Sequence, residues 1–480
     1  MSLAPMALFG HAFGEDFSLP LPVWMFIFGG TAAVLLSFVL VSLLYDDRTL
    51  EGKQPKQIKS RALTVLGAIG KRFGLFVFAV TVAAGFLGSP YATENFTITL
   101  FWVIFFVGFT YITAVFGNIW KVINPFLNIV ELVEHLGRKQ FNGTKPYSKR
   151  FGYYPALVIY FVVICLELLF DNFGVVPASL SAFLLYYTLV TVLGCMVFGK
   201  TVWFRYIDFF SVYFRLVSKM SAFAYQRRNL VLRKPFSGLI QERPEHNSLV
   251  LFVIFMLSST TFDGFTETKQ YVQAFNALPS FVPQWLYGMA VLAGITSLLY
   301  GLYVLSVRCA KATIRTGLSV QQLCCMFVFS LIPIAVGYNV AHYLSYLVTT
   351  GQYSIAQASD PFGMGWNLFG TANYQVNPTP LSPYATWYLQ VGAIVLGHVV
   401  AVYVAHKIAL GLQQKRSQVL VSQIPVIVLM LIYTTISLWI IAQPIYLAAE
   451  QREALRQQEA EIIRTIREPS MPLPPPSVPR

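Results

Sequence analysis

Long apolar stretches separated by short polar segments run through most of the chain. They cover residues 21–44, 73–89, 97–117, 153–171, 178–199, 248–264, 283–306, 319–347, 385–407 and 418–443. About 20 apolar residues cross the hydrocarbon core of a bilayer, so the stretches 73–89 and 248–264 are short for spans. The pattern predicts an all-α polytopic transmembrane bundle of about ten spans within residues 1–447, followed by a polar, proline-rich tail over residues 448–480.

Basic residues are distributed unevenly between the segments that join these spans. The joining segments 45–72, 118–152, 200–247, 307–318 and 407–417 hold 28 of the 34 lysines and arginines. Basic loops stay on the cytoplasmic side of a membrane, so the asymmetry predicts the topology, with the N-terminus outside. The first twenty residues lack the basic region of a secretory signal, so we expect no cleaved leader.

Composition supports the assignment to a membrane. The chain is 56% hydrophobic and 11% charged, whereas soluble domains carry about 25% charged residues. The net charge of +13 lies in loops beside predicted helix ends, where it orients the chain and meets anionic lipid. We therefore expect the lipid bilayer, and no nucleic acid, as a partner.

Three polar segments between the spans have their own character. Residues 118–140 carry apolar positions at helical spacing, and residues 205–228 mix aromatic and basic residues, so both predict interfacial helices on the cytoplasmic side. The outer segment 348–384 contains Asp360 as its only charged residue and is rich in glycine, asparagine and aromatic residues. Long ordered loops of this kind are either binding loops and lids or plain spacers.

Few ionisable residues lie within the spans, and each is a functional hypothesis because charge in a membrane is costly. Asp263 follows four hydroxyl residues in SSTTFDGF (258–265), where we expect the span to break. An acid at a broken helix can bind a metal or accept a proton, and the alternative is a helix cap. Glu167, with Asp171 one turn later, could line a polar cavity.

Histidines supply the second set of candidates. His342 lies in GYNVAHYLSYL (337–347), with Asn339 and Tyr346 on the same helical face and a predicted kink at Pro333 below it. His398 lies deep in its span beside Gly397, which permits a close helix approach. His406 is eight residues further on, about 12 Å along the axis, so one metal cannot use both on a straight helix. Buried structural histidines remain the alternative.

Aspartate and histidine together are the ligand types of hydrolytic metal sites. A divalent ion held by them lowers the pKa of bound water and generates a nucleophile. His11, with Glu15 and Asp16 in the outer N-terminal segment, could add a ligand. The candidate metal ligands are therefore His11, Asp263, His342 and His398, with the metal's identity open, although no HExxH or other metal motif is present.

Five segments together resemble the membrane-bound fenitrothion hydrolase family. They are HAFGEDFSLPLPVWMFIFGG (11–30), SSTTFDGF (258–265), AHYLSYL (341–347), SDPFGMGWNLFGT (359–371) and the GH–AH element (397–406). The resemblance extends over most of the chain up to about residue 443. In related proteins the histidine element follows a cleaved signal, whereas ten residues precede His11 here.

The resemblance implies hydrolysis of the aryl ester bond of an organophosphorothioate triester in a bacterial inner membrane. It also implies a possible homologous second subunit and a small lipophilic substrate. We expect a metal-activated water near the catalytic candidates Asp263, His342 and His398. Tyr343, Asp360 and Trp366 are the candidate substrate-binding residues, with the 348–384 segment as a lid.

Two other functional classes stay open on sequence grounds. One is a transporter or ion-path protein, in which a broken span and membrane histidines would carry the ion. The other is a non-catalytic membrane subunit that docks a redox or metal-handling partner through the outer loop and polar tail. Product formation would indicate the hydrolase, and transport in sealed vesicles without product would indicate the transporter. Co-purification of a second protein with all the activity would indicate the docking subunit.

Overall fold

The computed structural model describes residues 22–44, 56–58, 61–226, 229–241, 246–313, 316–412 and 416–443. Its helices are α1 Val23–Leu44, α2 Arg61–Leu87, α3 Phe96–Ile98, α4 Phe109–Phe116, α5 Trp120–Ile123, α6 Pro125–Leu136, α7 Tyr154–Leu168, α8 Asp171–Gly174, α9 Pro177–Phe198, α10 Lys200–Val202, α11 Phe209–Val217, α12 Ser237–Ile240, α13 Ser248–Thr266, α14 Lys269–Asn276, α15 Gln284–Thr313, α16 Val320–Phe327, α17 Ile332–Thr350, α18 Tyr353–Ser359, α19 Pro383–Leu412 and α20 Arg416–Ile441. The strands are β1 Lys56–Ile58, β2 Phe223–Gln226 and β3 Asn229–Leu232.

The all-α polytopic bundle predicted from the apolar pattern is confirmed. Within the described residues, nine helices are long and apolar enough to cross a membrane, and the shorter apolar helix α7 corresponds to the tenth predicted span. Two of the spans contain irregular turns. A π-helical segment, Thr99–Gly108, joins α3 to α4, and a 3₁₀ turn, Val328–Leu331, joins α16 to α17 just before Pro333. The protein is therefore a multi-pass membrane protein.

Two helices differ from the predicted spans. Helix α2 begins at Arg61, twelve residues before the predicted start, and Lys71 on it pairs with Glu131 of α6 at 2.6 Å. Helix α13 continues without a break to Thr266. The hydroxyls of Ser258 and Thr261 donate to carbonyls one turn earlier in α13, at 3.0 and 2.8 Å, so they are satisfied within an intact helix.

The basic loops meet at one end of the bundle, which we call the basic face. Strand β3 pairs antiparallel with both β1 and β2, so a three-stranded sheet joins the loop before α2 to the loop after α11. Lys200 pairs with Glu134 of α6 at 2.5 Å, which ties a third basic segment to the same end. We call the opposite end, which carries Trp24 and the C-terminal end of α13, the charge-poor face.

Of the two interfacial helices predicted in the basic loops, one segment forms helices and the other is buried. Residues 118–140 do form helices, α5 and α6. The expectation of a surface helix over 205–228 is wrong, because α11 is almost fully buried. Phe209, Phe210 and Phe214 of α11 have no exposed surface and pack among aromatic side chains from the neighbouring helices. Aromatic burial on every side of α11 outweighs the interfacial placement that its flanking bases indicate.

Helices α17 and α19 approach each other closely at two glycines. A Cβ at Gly337 would lie 2.6 Å from the Ala393 carbonyl oxygen, and a Cβ at Gly397 would lie 2.6 Å from that of Pro333. The predicted close approach at Gly397 is thus confirmed. Small residues at such a crossing let two backbones touch in a bilayer, and here the crossing brings the middle of α19 against the helix that carries His342.

Candidate functional site

The centre of the candidate site is the carboxylate of Asp263. Its Oδ2 lies 2.9 Å from Nε2 of His342 and accepts a hydrogen bond of 2.5 Å from the hydroxyl of Tyr343. The His342 side chain is 2% exposed and that of Asp263 is 13% exposed. A carboxylate, an imidazole and a phenol therefore share one oxygen atom, and the sequence predicted all three as site residues. We call these three the outer cluster.

Two helices position the outer cluster at the charge-poor face. Asp263 lies three residues before the end of α13, and the adjacent His342 and Tyr343 lie in the C-terminal half of α17. Neighbouring residues on a helix point about 100° apart, so they can reach one carboxylate only if it lies between their directions. The ring centroids of His342 and Tyr343 are 4.6 Å apart, which shows this convergence.

Gly264 provides space beside the outer cluster. A Cβ at this position would lie 3.3 Å from the hydroxyl oxygen of Tyr338 and 3.5 Å from Cε1 of His342. The Tyr338 hydroxyl is buried and has no hydrogen-bond partner among the described residues. A buried polar atom of this kind is usually satisfied by a water or a ligand.

A second acid lies near the outer cluster. Glu167 of α7 is close enough to Asp263 for the two carboxyl groups to interact electrostatically, and Tyr346 interacts with both. Sequence analysis predicted that Glu167 and Asp171 line a polar cavity. Glu167 does lie beside the site, whereas the Asp171 side chain is outside those that the structure describes. Glu167 therefore adds a second acidic side chain to the surroundings of Asp263.

His398 lies apart from the outer cluster, beyond two tyrosine rings. Its ring centroid is 6.1 Å from that of Tyr433, which is 6.1 Å from that of Tyr338, which in turn is 6.5 Å from that of His342. The hydroxyl of Tyr433 lies 2.8 Å from that of Thr261 on α13. The structure therefore brings Asp263 and His342 together but leaves the third predicted catalytic residue deeper in the bundle.

The two membrane histidines of α19 have different partners. Nδ1 of His398 lies 2.9 Å from the Ile394 carbonyl oxygen, so Nδ1 carries the proton. Its Nε2 is buried and has no hydrogen-bond partner within the described part of the chain. His406 is also buried, and it is hydrogen-bonded to Gln423 of α20.

Asp360 and Trp366 lie in the loop 360–382 between α18 and α19, which we call the outer loop. Both Asp360 carboxylate oxygens accept backbone hydrogen bonds, one from Met364 at 2.9 Å and one from Gly365 at 2.7 Å. Trp366 is exposed and packs edge-to-face on Phe362. Asp360 thus shapes its own loop, and its role in substrate binding stays a prediction.

The predicted metal site needs ligand atoms from several side chains that converge on one point. Asp263 and His342 supply two donors that are hydrogen-bonded to each other, and no group of three or more His, Cys, Asp or Glu side chains converges within the described residues. Zinc sites need at least three protein ligands. His11 lies outside the described residues. The described side chains therefore do not complete a metal site.

Sequence reasoning missed a buried acid, Asp208, near the basic face. It has no exposed surface, caps α11 by accepting from the Ser211 N–H at 2.9 Å, and accepts a hydrogen bond from Tyr187. Burial raises the pKa of its carboxyl, and the hydrogen bonds from Ser211 and Tyr187 oppose that rise. The signal was an aspartate directly before an apolar helix, which is a capping pattern.

The chain matches no family model, and neither the curated proteins nor the solved structures contain one significantly similar to it. The resemblance to membrane-bound fenitrothion hydrolases therefore remains a prediction from the motifs.

Proposed function

We propose that this protein is a membrane-bound hydrolase that cleaves the aryl ester bond of lipophilic organophosphorothioate triesters such as fenitrothion. The observation that carries the proposal is the outer cluster, in which Asp263 is hydrogen-bonded to both His342 and Tyr343. A carboxylate that orients a histidine is a recurring arrangement for activating a nucleophile. The motif resemblance supplies the substrate class.

The geometry assigns a role to each member of the outer cluster. Asp263 accepts the proton on Nε2 of His342, which leaves Nδ1 as the basic atom of that ring. His342 then takes a proton from water as the water oxygen attacks phosphorus, and the bond from phosphorus to the aryl oxygen breaks. Asp263 stabilises the resulting imidazolium, and Tyr343 holds the carboxylate in place. The products are a phosphorothioate diester and a phenol.

A metal-activated water is a separate proposal for the same site. It needs a third ligand in addition to Asp263 and His342, and His11 is the candidate that sequence offers. The general-base route needs only the side chains of the outer cluster. Turnover measured before and after chelator treatment separates the two routes, because loss on chelation and recovery on adding back a divalent ion would show a metal.

The position of the outer cluster suits a substrate dissolved in lipid. The cluster lies about one turn from the charge-poor end of α13, and partition of an apolar triester into the bilayer raises its concentration there. The proposal puts this face outside the cytoplasm, and the charge asymmetry between the loops supports that orientation. A bacterial inner membrane and a homologous second subunit belong to the proposal through the resemblance.

The test is release of a coloured nitrophenol from an aryl phosphorothioate by the detergent-purified protein. We expect release by the wild type and a loss of about 100-fold or more in His342→Gln, because general-base catalysis contributes about that much. His406→Gln is the matched control, since His406 is an equally buried, hydrogen-bonded histidine away from the outer cluster. Absence of release by the wild type, alone or with a related subunit, would refute the hydrolase.

One observation favours a second candidate, proton-coupled transport. Polar side chains continue below the outer cluster from Tyr338 to Tyr433 and Thr261 and on to His398, at the middle of α19. Ionisable and hydroxyl groups at such depth are typical of ion paths. Proton movement in sealed vesicles without product formation would favour this candidate. Co-purification of a second protein that holds all the activity would instead favour the docking subunit.

A further inference from the structure

Four large apolar side chains of the outer loop are exposed together. Met364, Trp366, Leu368 and Phe369 are 58%, 42%, 60% and 70% exposed, and they fall within six consecutive residues. We call them the loop patch. Isolated apolar residues are normal on a surface, but four exposed ones within six residues of one loop indicate an interaction surface.

Hydrogen bonds fix the backbone beneath the loop patch. Asp360 accepts the N–H groups of Met364 and Gly365, so its carboxylate closes a tight turn. The Ser359 hydroxyl accepts the N–H of Phe369 at 3.1 Å and that of Thr371 at 3.2 Å. The loop therefore holds these side chains outward as part of its own fold, which is unlike a lid that orders only on closure.

The loop lies against the charge-poor ends of the spans. Its Pro361 carbonyl oxygen is 3.3 Å from the position of a Cβ on Gly88, where α2 ends. Gln357 of α18, just before the loop, donates to the Thr93 carbonyl at 2.9 Å. Because α19 begins at Pro383, both ends of the loop stay close to the spans. No residue between 361 and 382 is charged.

Neighbouring helices mark the level of the bilayer boundary at this face. Trp24 on α1, Trp285 on α15, and Tyr384 and Tyr388 on α19 are all exposed, and all lie within the first six residues of helices that start at the charge-poor face. Exposed tryptophan and tyrosine at helix ends collect at the level of the lipid headgroups.

We propose that the loop patch inserts into the headgroup region of the bilayer and anchors the outer loop to the membrane surface. An uncharged loop that rests on the ends of the spans and presents methionine, tryptophan, leucine and phenylalanine matches this apolar–polar boundary. The outer loop is then a fixed element of the charge-poor face and not a moving lid. A protein subunit or another segment of this chain covering the loop patch is the competing outcome.

Fluorescence quenching in phosphatidylcholine liposomes tests this placement. The difference in emission between the wild type and Trp366→Phe isolates Trp366 from the other seven tryptophans. We expect lipids brominated near the headgroup to remove at least half of that difference, lipids brominated deep in the chain to remove less, and aqueous iodide to remove little. Trp24→Phe provides a lipid-exposed reference, and Trp387→Phe provides a buried one that is 1% exposed.

A second probe keeps the test independent of Trp366. Phe369→Trp, made in the Trp366→Phe protein, places the reporter at the most exposed position of the loop patch. Equal shallow-lipid quenching of both reporters supports insertion. Quenching by iodide but not by brominated lipid places the loop patch in water, and quenching by neither places it under protein. Either of those results overturns the proposal.

Discussion

Asp263 and Asp208 are both aspartates within the helical bundle, but their partners differ in kind. Asp208 is fully buried, and it accepts a helix N–H from Ser211 together with the hydroxyl of Tyr187. Asp263 is 13% exposed, and it is shared by the side chains of His342 and Tyr343. One carboxylate completes a helix, and the other connects two groups that can exchange protons.

The two aspartates separate an acid that satisfies a helix backbone from one whose partners are titratable side chains. A carboxylate that satisfies a helix N-terminus cannot leave it without exposing the N–H group to an apolar environment. A carboxylate bonded to an imidazole can change its protonation while the helices stay in place. We therefore expect substitution of Asp208 to lower the stability of the fold, and substitution of Asp263 to lower turnover.

The largest expected effect is the loss of stability in Asp208→Ala. The substitution leaves the Ser211 N–H and the Tyr187 hydroxyl buried without an acceptor, at about 1–3 kcal/mol for each group. We expect a free energy of unfolding lower by roughly 2–6 kcal/mol, seen as a reduced melting temperature in detergent. Asp208→Asn keeps an acceptor oxygen and should recover most of this loss. Unchanged melting in Asp208→Ala would show that the cap is dispensable.

The next effect is expected at Gly264, beside the outer cluster. In Gly264→Ala the new Cβ would lie 2.8 Å from Ile440 Cγ2 and 3.3 Å from the Tyr338 hydroxyl, so neighbours of His342 must shift. We expect nitrophenol release to fall about tenfold or more, because small misplacements of catalytic groups are costly. Gly392→Ala is the control, since no atom lies within 4 Å of its Cβ. Full activity in Gly264→Ala would show that the close packing around Gly264 does not position the outer cluster for turnover.

The smallest effect is expected at Glu134 on the basic face, an acid paired with a lysine, in contrast to Asp208 and Asp263. Burial alone would raise the pKa of Glu134, but hydrogen bonds from Lys200 and the Phe141 N–H outweigh it and lower the pKa from 4.5. A lowered folded-state pKa means that the pair stabilises the protein above about pH 4.5, and that this stabilisation is lost as pH falls further.

Glu134→Gln checks this pH dependence through melting temperatures. We expect the variant to be less stable than the wild type by about 1 kcal/mol at pH 7, with the difference shrinking as the pH falls below 4.5. Lys71, in an exposed pair with Glu131, supplies the comparison, because Lys71→Met should change stability little. A difference for Glu134→Gln that grows with acid would contradict the assigned sign.

The fold was largely predictable because the membrane imposes a strong pattern. All ten apolar stretches became helices, since a bilayer requires backbone groups to bond within each span. The wrong predictions concern features that the apolar pattern does not determine. Hydroxyls at Ser258 and Thr261 suggested a break but bond back along α13, and aromatic packing buries α11 although its flanking charges favoured the surface.

The site was predictable only in part. Asp263, His342 and Tyr343 stood out because polar groups are rare in spans, and the structure joins them. His398 stood out for the same reason, but depth along separate helices cannot be compared from sequence, and the structure places it beyond Tyr433. Asp208 was missed because its segment lies between predicted spans, and acidic residues are common in such polar segments.

The most direct test of the account compares Asp263→Asn with the wild type in turnover and melting temperature on the same purified samples. Asparagine keeps the shape of the side chain and can still accept from Tyr343, but it cannot stabilise an imidazolium. The account predicts a loss of nitrophenol release of about 100-fold or more, with a melting temperature within a few degrees of the wild type. Turnover within twofold of the wild type in a folded Asp263→Asn protein would contradict it.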